Sequence, residues 1–226
     1  FGAMDEEELD RIISVLNGKL NNTIKLGFHS HNNQQLSFAL SMHFIQKLKP
    51  SGRDIIVDSS LCGMGRGAGN TTTELLVSYI NRKQNGHYDL DSILDAIDTY
   101  MCYFQEKYSW GYSIPYFISG MYECHVNNIA YLTKNHRTNA HDMRNIIDSL
   151  SPEQRRKYDY DILEEKYIEN QNRIVNDEEC LYYLKKLIRN RKILLIAPGI
   201  SSTTESKKIN EFIETESPFV IAVNAL

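Results

Sequence analysis

Apolar positions recur with helical spacing near the start of the chain. Leu9, Ile12, Ile13 and Leu16 lie three or four residues apart, which predicts an amphipathic helix. Asp5 precedes the run as an N-cap candidate, and Glu6 to Glu8 suit the positive end of the helix dipole. Gly18 offers a C-terminal stop. IKLGFHSH from Ile24 reads as a strand, and a helix is expected from Gln35 to Leu48, where Leu36, Leu40, Phe44 and Leu48 stand four apart. After the turn Pro50-Ser51-Gly52, DIIVDSS from Asp54 has a continuous apolar centre, as in a parallel strand buried on both faces. A glycine-rich loop, Gly63 to Gly69, leads into a helix over 72–81.

This order of helix, strand, helix, strand, loop and helix is the grammar of an α/β protein. From Asp89 to Asn190 the pattern is helical alone, at 91–104, 122–134, 141–150 and 151–170. Ser151-Pro152-Glu153 is a helix start: cap, proline in the first turn, then acid. The tail returns to βαβ, with KILLIAPG, a helix near 205–214, and PFVIAVN. The chain is therefore divided into 1–88, 89–190 and 191–226. It opens on Phe1-Gly2-Ala3-Met4 and closes on FVIAVNAL, which reads as an inner strand. The expectation is an internal piece of a longer protein, inactive when residues 1–226 stand alone.

Composition narrows the function classes. Hydrophobic residues make up 42% of the 226 positions, too many for a disordered chain. The net charge of −4 supplies no basic excess for phosphates, so no nucleic-acid partner is expected. No apolar run reaches the roughly 18–20 residues that span a bilayer, so no membrane role is expected. Cys62, Cys102, Cys124 and Cys180 are widely spaced without a C-x-x-C, which argues against a zinc ribbon or disulfide scaffold. Four reduced thiols in a cytoplasmic protein are expected.

Two motifs close the first two strands. In His29-Ser30-His31, residues two apart on a strand point the same way, so two imidazoles can face one metal ion. Solvated or core-bonded histidines are the competing reading. The second motif, Asp58 to Asn70, holds four glycines that let backbone approach a ligand. A mobile surface loop is the alternative. No Lys-Ser or Lys-Thr pair follows, as a Walker A loop requires, and the dinucleotide fingerprint lacks its acid.

GFHSHNN, a helix, then DSSLCGMGRGAGN resemble the seventh and eighth strands of the metal-dependent pyruvate aldolases of the 4-hydroxy-2-oxovalerate aldolase type. These belong to the superfamily of hydroxymethylglutaryl-CoA lyase, isopropylmalate synthase and homocitrate synthase. FGAM resembles the sixth-strand loop and WGYSIPY, Trp110 to Tyr116, the glycine–tyrosine segment after the barrel. The resemblance covers residues 1 to about 135 and implies the last two strands of a TIM (β/α)8 barrel. It implies Mn²⁺ or Mg²⁺ at the C-terminal mouth, with His29 and His31 as ligands and Asn70, a ligand in the lyase branch, as a further one. Tyr116 falls on the tyrosine that contacts substrate, in a catalytic role, with His29 as a second substrate contact. The family's aspartate ligand on the first strand, its neighbouring arginine and a first-half histidine are not in this chain.

The loop G-M-G-R-G-A-G-N is closer to the aldolases than to the synthase loop G-E-R-A-G-N. The helix after His31 carries Gln34-Gln35-Leu36-Ser37-Phe38 in place of an alanine-rich run, and the region after Asn135 does not resemble the domain that docks an aldehyde dehydrogenase. A dehydrogenase partner is therefore not implied. The tail from Arg191 resembles the opening of a Rossmann-like domain, with one glycine in its Ala197 to Ser202 loop. The activity implied is aldol cleavage or condensation of a 4-hydroxy-2-oxo acid through a pyruvate enolate, with a 2-oxo acid and an aldehyde as small-molecule partners in a homo-oligomer. The alternatives are an acyl-CoA-dependent Claisen synthase or lyase, and a non-catalytic barrel scaffold carrying a nucleotide-binding domain.

Overall fold

The computed structural model describes residues 2–174 and 176–223. Helix α1 (Glu6–Lys19) buries Leu9 and Ile13 on one face, while the Asp5 carboxylate accepts the Glu8 amide at 2.8 Å. That cap satisfies one of the free N–H groups of the first turn. Gly18 is not the stop, since the helix runs on to Lys19 with Leu20 as C-cap. The buried Arg53 guanidinium removes the need for a glycine terminus. It donates to the carbonyls of Leu20, Asn21 and Ile24 at 2.9, 2.8 and 2.6 Å and to the Asn17 side chain at 2.8 Å. A cation at the negative end of a helix is favourable without a carboxylate partner.

Strand β1 (Leu26–Phe28) pairs in parallel with β2 (Ile55–Val57), with Leu26 opposite Ile55 and Phe28 opposite Val57. Helix α2 (Ser37–Leu48) crosses between them, and its Leu40, Phe44 and Leu48 join Leu9, Ile13 and Phe28 in one core. The Phe28 and Phe44 rings stack 5.2 Å apart. Helix α2 begins two residues later than the spacing suggests, because Gln35 takes a left-handed conformation (φ 60°). The expectation that β2 is buried on both faces is corrected: Ile56 is 52% exposed. Ile55 and Val57 take the packed side, against Ile45, Leu76 and Tyr79, and alternation turns Ile56 away.

After the glycine loop comes α3 (Thr73–Lys83). Helix α4 (Leu90–Ala96) passes through a π-helical turn, Ile97–Met101, into α5 (Cys102–Lys107). Helix α6 (Ile114–Met121) falls within and beyond WGYSIPY, where no helix was expected, and Pro115 sits in its first turn. Helix α7 (Val126–Asn135) starts after Glu123, whose φ of 49° interrupts the expected run from Tyr122. Helix α8 (Ala140–Ser149) follows. Residues 151–170 split into α9 (Pro152–Arg156), with a Ser151–Gln154 capping box, and α10 (Tyr160–Gln171). The break arises because the Asp159 carboxylate caps a fresh start, accepting from the Asp161 and Ile162 amides. Ile118, Ile129, Leu132, Ile146, Ile147 and Leu163 form the core of these helices.

Two compact units result, Phe1–Asn172 and Arg173–Leu226. The sequence pattern divides the chain after residues 88 and 190, whereas compactness divides it after Asn172. The second unit holds α11 (Glu178–Ile188), β3 (Ile193–Ile196), α12 (Ile200–Thr204), α13 (Ser206–Glu216) and β4 (Phe219–Ala222). Strands β3 and β4 are parallel, Ile193 opposite Phe219 and Ile196 opposite Ala222, in the βαβ order the tail suggested. Phe1 of FGAM and the last three residues of FVIAVNAL lie outside the described residues. The fold is α/β and helix-rich. No helix among the described residues is long and apolar enough to cross a membrane.

Candidate metal centre

The parallel register builds the site. Because Phe28 stands opposite Val57, the residues that follow, His29 and Asp58, leave the strands side by side. The Asp58 amide donates to the Phe28 carbonyl at 3.0 Å, and His29 Nδ1 lies 3.1 Å from Asp58 Oδ2. A carboxylate at Nδ1 holds the proton there and leaves the Nε2 lone pair for a cation. Asp58 was not among the site residues expected. Its signal was the end-of-strand position in line with His29, which requires the pairing of two strands. The His29 and His31 rings meet edge to face with centroids 5.0 Å apart.

His31 is drawn to the glycine loop. It forms an isolated antiparallel bridge with Asn70, and the neighbouring Asn32 amide donates to the Gly69 carbonyl at 3.0 Å. Burial, and then repulsion from His29, hold the His31 imidazole below the ordinary histidine range, favouring the neutral form a cation needs. Asn70 Nδ2 donates to the Met64 carbonyl at 3.2 Å. Its Oδ1 is buried and faces the His31 imidazole without a hydrogen bond of good geometry. Two glycines make room for this amide. A Cβ on Gly65 would stand 2.6 Å from Asn70 Nδ2, and Gly69, at φ +81°, would place one 2.2 Å from the Gly63 carbonyl oxygen. The loop is thus folded onto itself around Asn70.

Beneath the two loops lies a buried chain of hydroxyls that the sequence did not reveal. Thr71 Oγ1 is 2.7 Å from Ser30 Oγ and 2.8 Å from Ser41 Oγ, and Ser41 Oγ donates to the Ser37 carbonyl at 2.7 Å. Ser30 lies between the histidines and Thr71 next to Asn70, so the chain ties both donor-bearing segments to α2.

A cavity of about 410 Å³ opens beside the histidines, lined among others by Met4, Phe28, His29, His31, Glu123 and Arg156. Asn70 and Tyr116 are outside its lining. The ring of Tyr116 packs against Gly67, and its backbone carbonyl accepts from Asn33 Nδ2 at 2.9 Å. The structure therefore brings together His29, His31, Asp58 and Asn70, and sets the Tyr116 ring against Gly67 of the loop.

Among the described residues no three His, Cys, Asp or Glu side chains converge on one point. Two imidazoles and a buried amide oxygen nevertheless fit a divalent cation as part of a shell, since all are neutral donors and the oxygen suits a hard ion.

The site joins a strand-end histidine pair to a closed glycine loop, and in comparison with known proteins residues 1–100 match the model of the HMGL-like family. The chain is 41% identical over 98 residues to a 4-hydroxy-2-oxovalerate aldolase of Marinomonas sp., covering 43% of this chain and 27% of that protein. It is 36% identical over 98 residues to an oxaloacetate decarboxylase of Mycobacterium tuberculosis, covering 42% and 26%. Among solved structures, the N-terminal domain of a candidate aldolase from Bacteroides vulgatus matches with a TM-score of 0.52 and 29% identity, over 60% of this chain and 42% of that one. The matched stretch spans about a quarter of the length of these curated relatives.

Proposed function

We propose that the full-length protein is a divalent-metal-dependent carbon–carbon lyase that breaks or forms the C3–C4 bond of a 2-oxo acid, in the first instance a 4-hydroxy-2-oxo acid, through a pyruvate enolate. The observation that carries the reading is the buried Asn70 Oδ1 turned to His31 across the loop bridge, with His29 oriented by Asp58. When bound, Mn²⁺ or Mg²⁺ supplies Lewis-acid stabilisation of the enolate charge. His29, His31 and Asn70 hold the ion as neutral donors and so leave its charge uncancelled. Asp58 fixes the tautomer of His29. Tyr116 is assigned a substrate hydrogen bond or proton relay, which Tyr116→Phe tests through kcat/KM. In this reading β1 and β2 are the last two strands of a TIM barrel, residues 191–223 open a Rossmann-like unit, and the enzyme is a homo-oligomer.

A second reading is favoured by the decarboxylase relative. Oxaloacetate also cleaves at C3–C4 to leave a pyruvate enolate, with CO₂ in place of an aldehyde departing, so one site chemistry serves both names. The test assays full-length protein with Mn²⁺ or Mg²⁺ on a 4-hydroxy-2-oxo acid, on oxaloacetate, and on acetyl-CoA plus a 2-oxo acid. Metal-dependent pyruvate release is expected, with loss of metal and activity in His31→Ala. Stoichiometric metal retained by His31→Ala, or turnover only with acetyl-CoA, rejects the assignment.

A further inference from the structure

The loop that carries Asn70 is gripped by a segment beyond residue 100. Trp110 Nε1 donates to the Cys62 carbonyl at 3.0 Å, and the Gly111 amide donates to the Gly67 carbonyl at 3.1 Å. The Tyr116 ring lies against Gly67, and Arg66 donates to the Asn127 side-chain oxygen. Cys62 is where this grip has most effect. Its φ of 52° is left-handed, a conformation that a residue other than glycine keeps only when its surroundings hold it. Both of its backbone polar groups are taken by side chains: Glu74 accepts from its amide at 3.2 Å, and Trp110 donates to its carbonyl. The loop then closes back on itself, with the Asn70 amide donating to the Gly63 carbonyl at 3.0 Å. The place of Asn70 is therefore set relative to Cys62 and Gly63.

We propose that Trp110 is a positioning residue: its indole N–H holds Cys62 left-handed and thereby keeps the glycine loop closed, with the Asn70 amide against His31. The ligand in this proposal rests on the metal-centre reading above, while the clip rests on the hydrogen bonds alone. The chain from 110 to 127, outside the HMGL-like stretch, then belongs to the machinery of the site.

The test uses full-length protein with Trp110→Phe and Trp110→benzothienylalanine, the latter replacing only the indole N–H by sulfur. Two quantities are read: amide hydrogen exchange at Gly69 and Asn70, and Mn²⁺ affinity by electron paramagnetic resonance. Loss of the clip should speed exchange in the loop about five- to tenfold, the equivalent of one ordinary hydrogen bond, with the α8 amides unchanged. Mn²⁺ should bind about 10–100-fold more weakly, as for other groups that orient a ligand from behind. If the phenylalanine variant fails to fold, the shape-preserving analogue decides. Unchanged loop exchange, or faster exchange with unchanged Mn²⁺ affinity, overturns the proposal. If wild-type protein binds no Mn²⁺, the proposed function fails, and loop exchange alone decides whether the clip exists.

Discussion

Thr71→Val in the full-length protein removes one oxygen and keeps the shape of the side chain. Thr71 is fully buried, and its hydroxyl stands in the middle of the chain linking Ser30 to Ser41. The direction of that chain follows from its far end. Ser41 donates to the Ser37 carbonyl at 2.7 Å, so the Thr71 proton goes to Ser41 or to the same Ser37 carbonyl, 3.2 Å away, and Thr71 in turn accepts from Ser30. With valine, the Ser30 proton has only the Ser37 carbonyl, 3.4 Å away, at the weak limit of a hydrogen bond. One buried hydroxyl left unsatisfied costs about 1–3 kcal/mol. Thr71→Ser keeps the oxygen and deletes a methyl, which costs about 0.8 kcal/mol plus a small cavity contribution. The expected order of stability is wild type, then serine, then valine, read from urea midpoints of metal-free protein. Since Ser30 separates the two histidines, the valine variant should also bind Mn²⁺ more weakly than the serine variant. Valine within about 0.5 kcal/mol of wild type, the scale of an ordinary surface substitution, would refute the hydroxyl-chain reasoning. So would a serine variant less stable than the valine one, because packing of the methyl would then dominate.

Other perturbations test the fold and the site separately. Arg53→Lys replaces a fork that meets several carbonyls by a single ammonium, and should destabilise by at least about 1.5–3 kcal/mol in the same urea assay. His31 is held below its ordinary value of 6.5 by burial, so on acidification the unfolded chain takes up its proton before the folded one does. Stability of the metal-free protein should therefore fall as pH drops through that value and level off below the folded pKa, and His31→Gln should flatten this segment of the urea-midpoint profile. Cys102 and Cys180 are exposed, whereas burial pushes the Cys124 thiol up. Titration with a chromogenic disulfide should label the first two rapidly and Cys124 only after unfolding, and early labelling of Cys124 would contradict the packing of α7 and α8.

What the sequence determined by itself was local. The spacing of Leu9 and Ile13 and the cap at Asp5 specify α1, and Ser151-Pro152 starts α9, because the groups that satisfy a helix end lie within one turn of it. The histidine pair and the glycines could be read as chemistry because two-residue alternation and small side chains are written in consecutive positions. Tertiary structure decided everything that joins distant residues. It set Asp58 behind His29 across 29 residues, through a strand register that no single strand specifies. It let Arg53 end α1 in place of Gly18, and broke the 151–170 run where Asp159 offered a new cap. It joined Ser30, Thr71 and Ser41 into one buried chain and put Trp110 on Cys62 across 48 residues. Buried polar groups must find partners wherever packing delivers them, and periodicity along a chain carries no record of which distant segment packing will bring.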